Sequence, residues 1–112
     1  MERVAVYGTL KQGHYNHPVL SKQGAKFVGS CRIHGWVMYN LGAYPCIVPT
    51  KLFNTVVVEV YDVPNLRDTD RLEGYPSFYD RTIVTTDFWD AWVYFMREVP
   101  YGAKVINSGV WE

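Results

Sequence analysis

Glu73 is the residue whose type and setting point most directly to chemistry. It ends a short helical pattern just before Gly74, where the negative end of the helix dipole opposes a further negative charge. Its neighbours Leu72 and Tyr75 bring apolar surface that reduces hydration. Both effects raise the proton affinity of a carboxyl that points into a pocket. A carboxyl poised nearer neutrality can accept a proton and return it. On a solvated face the same residue would pair with Arg71, Arg81 or another base, so the sequence alone leaves catalysis and a surface ion pair both open.

The segment Gly8-Thr9-Leu10-Lys11-Gln12-Gly13 offers the complementary chemistry. A strand running into a glycine-bounded loop can expose several backbone N–H donors, which hold a carboxylate or stabilise an oxyanion. Thr9 adds a hydroxyl. The loop is not a Walker motif, because His14 and Tyr15 follow Gly13, and it is not GxGxxG either. Its other reading is a tight turn that needs glycine.

Other constellations are weaker. His14 and His17 would meet only across a helical turn, with no local Cys, His or acid cluster to complete a metal site, so no metal is expected. His34 reads as structural or exposed. Asp68 and Asp70 are expected on the exposed side of the helix, and they do not make a glycosidase pair with Glu73. No Ser-His-Asp or Cys-His arrangement is evident. Cys31 and Cys46 read as reduced core thiols. Tyr44 and Trp89 fall in turn regions where an aromatic can line a pocket mouth, whereas most other aromatics read as core.

These residues need a scaffold. With 112 residues, of which 48% are apolar, the chain supports one folded domain over residues 1–112 and argues against disorder. Eleven basic and eleven acidic residues cancel, so the bulk positive field of a general nucleic-acid binder is absent. No N-terminal targeting pattern and no membrane-length apolar run is visible, and a soluble cytoplasmic protein with no membrane or nucleic-acid partner is expected. Strands are expected at Arg3–Tyr7, within Ala25–Val37, at Ile47–Pro49, Thr55–Tyr61, Tyr79–Thr85 and Ala91–Met96, with an extended tail at Lys104–Trp111. A short helix near Pro18 and another over Pro64–Gly74, capped by Asn65, complete the reading. Many short strands and little helix suggest a closed or strongly coiled sheet, since closure removes vulnerable edges.

Tyr7-Gly8-Thr9-Leu10, extended to Gly13 with Asn16 and Leu20 downstream, resembles the opening signature of the gamma-glutamylcyclotransferase-like superfamily. Arg71-Leu72-Glu73-Gly74-Tyr75-Pro76, then Tyr79 and Arg81, resembles its second signature, and Ser108-Gly109 with Trp111 its tail. Thr69 and Val110 depart from the apolar and polar residues usual at those places. The resemblance implies an α+β fold, a mixed beta barrel with short peripheral helices. It implies cyclotransfer, in transferase or lyase terms. The α-amine of a gamma-glutamyl-amine attacks its own γ-carbonyl, giving 5-oxoproline and a free amine without a cofactor. Glu73 would be the general acid/base. Tyr7, Gly8, Thr9, Leu10, Tyr79 and Arg81 would bind substrate, Arg81 alternatively tethering the loop after the helix. The leaving amine would project toward Asn40–Pro45 and Phe88–Ala91. A noncatalytic small-molecule-binding or interaction module on the same fold, and a homodimer, both stay open.

Overall fold

Runs of β-branched residues decide most of the architecture. In Thr55–Val63 (β5), Val56, Val58 and Val60 are fully buried while Thr55, Val57 and Glu59 between them are half-buried, the period-two pattern of a strand with unequal faces. A computed structural model describes residues 1–112. It places β5 between β1 (Glu2–Val6) and β2 (Lys26–His34), antiparallel to both. β1 also pairs in parallel with β7 (Trp89–Phe95), which forms a hairpin with β6 (Asp80–Thr86). The result is a five-stranded sheet in the order β2-β5-β1-β7-β6. A second, three-stranded sheet joins β3 (Trp36–Asn40) to β4 (Pro45–Pro49) and β8 (Lys104–Ile106), in the order β4-β3-β8.

Neither sheet closes, which corrects the barrel expectation. β2 and β6 are the free edges of the larger sheet and are not hydrogen-bonded to each other. Side chains, rather than a further ladder, occupy the ground between them. The Phe88 ring, from the β6–β7 turn, lies against Gly29 of β2 so closely that a Cβ there would stand 2.2 Å from it. The β2–β5 register shifts at the same point, between Phe27 and Gly29. Arg3 donates to the Phe88 carbonyl and forms a forked pair with Asp62, tying the turn to β1 and β5. Strand propensity conveys that a sheet must be strongly coiled, but not whether its last two edges meet through backbone or through an aromatic ring.

Both faces of the larger sheet are covered. One core gathers Ile33, Val56, Val58, Val60, Val93 and Phe95 with Trp36, Met38 and Ile47 of the smaller sheet. The other gathers Val4, Val6, Tyr61, Val63 and Tyr94 with Leu20 and Leu66. Burial on both faces explains why β1 reads as a nearly continuous apolar run. Gly35, at φ +86°, separates β2 from β3, so the strand region expected within Ala25–Val37 is divided there. Cys31 and Cys46 are free and buried in the two different cores. The tail is strand only at Lys104–Ile106. Beyond it Gly109 presses on β5, where a Cβ would stand 2.3 Å from the Thr55 carbonyl, and its own carbonyl accepts the Val57 N–H. No helix is long and apolar enough to cross a membrane.

The helices are short and serve the site. α1 (Pro18–Ser21) anchors through fully buried Leu20. The N-cap of α2 (Arg67–Glu73) is Leu66 rather than the expected Asn65, and it makes no side-chain cap; the Asn65 side chain, one residue earlier, accepts the Arg67 N–H at 3.0 Å. The helix stops at Gly74, whose left-handed backbone (φ 65°, ψ 34°) suits a residue without a Cβ. The stop fixes where the Glu73 side chain leaves the helix.

Candidate active site

The end of β1 and the end of α2 border a cavity of about 440 Å³. β1 lines it through Ala5 and Val6, and the chain continues through buried Tyr7 into the loop Gly8-Thr9-Leu10. α2 supplies Leu72, Glu73 and Gly74. Tyr44 and Pro45 enter from the β3–β4 connection, Phe78 and Tyr79 from the segment after α2, and Tyr94 from β7. The two sequence signatures, far apart along the chain, share one cavity because β1 runs centrally in the sheet beside β7, and α2 is held to Tyr94 of β7 through Thr69 and Asp70.

Glu73 carries the only carboxyl in this cavity, and no Lys, Arg, His or Asp joins it. It forms no ion pair. Burial without a compensating cation pushes its carboxyl up from 4.5 to about 7. The surface ion pair open at the sequence level is not formed. Its charge is felt by Tyr7 and Tyr79, whose phenols lie above their ordinary range, first because they are buried and further because of this carboxyl. Both hydroxyls are otherwise occupied. Tyr7 donates to the Tyr94 carbonyl at 2.9 Å and Tyr79 to the Pro45 carbonyl at 2.6 Å. They act as neutral walls that fix the cavity's shape.

The loop opposite is built to present donors. The N–H groups of Gly8, Thr9 and Leu10 make no hydrogen bond within the chain. The loop is held by its carbonyls and side chains instead: Lys11 N–H donates to the Gly8 carbonyl at 3.1 Å and Asn16 N–H to the Thr9 carbonyl at 2.9 Å. The Asn16 amide also donates to the Thr9 hydroxyl at 2.9 Å, clamping Thr9 twice. Gly8 is required for packing: a Cβ there would meet two carbons of Pro45 at 2.8 Å. His17 Nδ1 lies 2.9 Å from the Leu10 carbonyl, and the ring rests edge-on against Tyr61, so it braces the loop from behind. Buried Lys11 reaches the Trp111 carbonyl, which joins the loop to the tail signature.

Of the expected site residues, Glu73, Tyr7, Gly8, Thr9, Leu10 and Tyr79 come together around the cavity. Arg81 does not border it. Its guanidinium is sandwiched between the Tyr75 and Trp92 rings, 4.3 and 4.4 Å from their centroids. Its Nε is 3.0 Å from Asp70 Oδ1, an ion pair without hydrogen-bond alignment. This is the tethering alternative. Asp70 is accordingly half-buried rather than exposed, and it accepts the Tyr94 hydroxyl at 2.7 Å. Thr69 is fully buried, its hydroxyl between the Leu66 carbonyl (3.1 Å) and the Tyr94 oxygen (2.8 Å). That polar pairing explains a threonine where an apolar residue is usual.

Tyr44 lines the mouth, whereas Trp89 and the whole Phe88–Ala91 segment do not. Trp89 stands 83% exposed elsewhere, at the β6–β7 turn. Asn16, Phe78 and Tyr94 also line the cavity, although the sequence does not mark them as site residues. Asn16 lay within the opening signature, which was its only signal. Phe78 and Tyr94 had none, because aromatic side chains read as core wherever strands are dense.

A profile for the family described as gamma-glutamyl cyclotransferase, AIG2-like, matches residues 4–112. The gamma-glutamylcyclotransferase family protein YtfP of Escherichia coli K12 is 33% identical over 111 residues, covering 97% of this chain and 95% of that relative. The crystal structure of an uncharacterized protein from Pyrococcus horikoshii superposes with a TM-score of 0.79 at 33% identity, over 98% of this chain and 89% of that one. An AIG2-like protein of Mus musculus does so with a TM-score of 0.70 at 31% identity, over 89% of this chain and 80% of that one. The family description and the YtfP name speak of cyclotransferases, and the lyase expectation finds no support in them. The chain belongs to the AIG2-like gamma-glutamylcyclotransferase family.

Proposed function

We propose that the protein is a cyclotransferase that converts a gamma-glutamyl-amine into 5-oxoproline and the free amine, with Glu73 as the proton carrier. The observation that carries this reading is the isolated Glu73 carboxyl, whose proton affinity burial lifts to about 7, in the same cavity as three unused backbone donors. A base with that affinity is largely ionised just above neutrality and still holds a proton well enough to deliver it.

The steps follow from proton accounting. Ionised Glu73 takes a proton from the substrate's α-ammonium. The freed amine bonds to the γ-carbon, and the carbonyl electrons move onto oxygen. The N–H groups of Gly8, Thr9 and Leu10 are suited to hold that oxyanion or the α-carboxylate of the glutamyl head. Glu73 then returns its proton to the departing nitrogen, the γ-carbon–nitrogen bond breaks and the carbonyl re-forms. The ring nitrogen still carries an excess proton, which Glu73 takes and passes to the released amine. Intramolecular attack supplies much of the proximity advantage, so the cavity's task is to keep the chain curled and to move protons.

The test is mass-spectrometric detection of 5-oxoproline and released amine from a panel of gamma-glutamyl-amines. Product is expected from the parent protein, and Glu73→Gln is expected to lower turnover by about 10²–10⁴-fold. Parent-level turnover in a folded Glu73→Gln protein would contradict the role of this carboxyl.

A further inference from the structure

We infer that the amine released by this protein carries an uncharged apolar or aromatic substituent, seated at the cavity mouth against Tyr44, Phe78 and Leu72. The inference rests on the cyclotransferase reading and deepens it by naming the class of leaving group.

The cavity has two unlike ends. Its inner end holds the Glu73 carboxyl, the Gly8–Leu10 donors and buried Tyr7, which complement a small, polar glutamyl head. Its mouth is an aromatic strip. Tyr44 pairs edge-to-face with Phe78 at 6.0 Å between ring centroids, and Phe78 pairs in the same way with Tyr79 at 5.1 Å. Tyr79 is buried and Phe78 is 52% exposed, so the strip runs from the wall to solvent. Leu72, 38% exposed, adds apolar surface from α2. Exposed apolar groups continuous with a cavity wall gain most when a ligand's own apolar surface covers them.

Charge narrows the choice. With no Lys, Arg or His lining the cavity, the carboxylate of a departing amino acid would meet no cation. The distal ammonium of a departing polyamine would meet only Glu73, which the reacting nitrogens already engage. An ammonium held over a ring face is the competing occupant. At a mouth this exposed, water competes well for such an ion, whereas apolar surface gains from the same contact. The volume also fits, since about 440 Å³ lies within the ~300–1,000 Å³ typical of pockets for drug-sized ligands and exceeds what a glutamyl head alone needs.

The test compares kcat/KM for four synthetic amides: gamma-glutamyl-phenethylamide, gamma-glutamyl-methylamide, gamma-glutamylputrescine and gamma-glutamylalanine. The phenethylamide is expected to exceed each of the others by about tenfold or more. Phe78→Ala and Tyr44→Ala are each expected to pull the phenethylamide-to-methylamide ratio toward one. Turnover of the methylamide with no phenethylamide preference overturns the inference and leaves the cyclotransferase reading standing. A putrescine preference overturns it in favour of an ammonium at the mouth. No turnover of any amide by folded parent protein removes the cyclotransferase reading, and this inference with it.

Discussion

Helix α2 carries two carboxylates three positions apart whose surroundings are opposite. Asp70 faces the Arg81 guanidinium, which two aromatic rings enclose, and it accepts the Tyr94 hydroxyl. Glu73 faces a cavity with no cation and takes up protons near neutrality. Same helix, same functional group, different compensation: Asp70 fastens the helix to β6 and β7, and Glu73 is left without a cation. Arg81 lies between Tyr75 and Trp92 beside Asp70, and Glu73 is left without an ion pair.

The contrast can be broken from either side. The largest expected effect is on activity: Glu73→Gln keeps shape and removes the proposed proton carrier, with an expected loss of about 10²–10⁴-fold in turnover. Asp70→Asn touches no reacting atom, so a loss of comparable size in that variant would show that the two carboxylates are not functionally distinct. Next comes Arg81→Met, which leaves Asp70 half-buried and unpaired and removes a cation from between two rings. Urea unfolding should report a loss of about 2–3 kcal/mol. An unchanged midpoint would mean that the tether carries no load.

A smaller effect has the opposite sign. Glu73 holds its proton more tightly in the folded chain, at about 7 against an ordinary 4.5. The stability linked to that proton is complete below about pH 4.5 and is lost as pH rises through about 7. Glu73→Gln should therefore be more stable than the parent at pH 8, by on the order of 1–3 kcal/mol, and the gap should close toward pH 4.5. Thermal unfolding of both proteins across this range reads the gap directly, and a Glu73→Gln protein that is less stable at pH 8 would argue against uncompensated burial. Activity lost while stability is gained is the behaviour expected of a functional group held in an unfavourable place.

How much of this could be read from the sequence differs by residue. Val56, Val58 and Val60 announce a buried strand, and Gly74 announces where α2 stops, because both depend on local geometry. Glu73 and the Gly8–Leu10 loop were legible together through the family resemblance, since helix-end electrostatics alone left a surface ion pair open. Arg81 was not resolved. Whether it meets substrate or Asp70 depends on where Tyr75 and Trp92 stand, and Trp92 comes from a strand with no local link to the helix. The barrel expectation failed for a related reason: only the assembled fold shows that Phe88 lies on Gly29 where a ladder between β2 and β6 would be needed. Phe78 and Tyr94 were hidden because the same residue type serves core and cavity wall alike.

The central claim is that burial without a partner makes Glu73 a proton carrier near neutrality. Its most direct test needs no substrate. A carbon-detected NMR titration of the side-chain carboxyls in carbon-13-labelled protein, with Glu73→Gln to assign the signal, would follow this group alone. The account predicts a midpoint of about 7. A midpoint near the ordinary 4.5 would contradict it, because the carboxyl would then be ionised, hydrated and unable to hold the proton that the reaction must return.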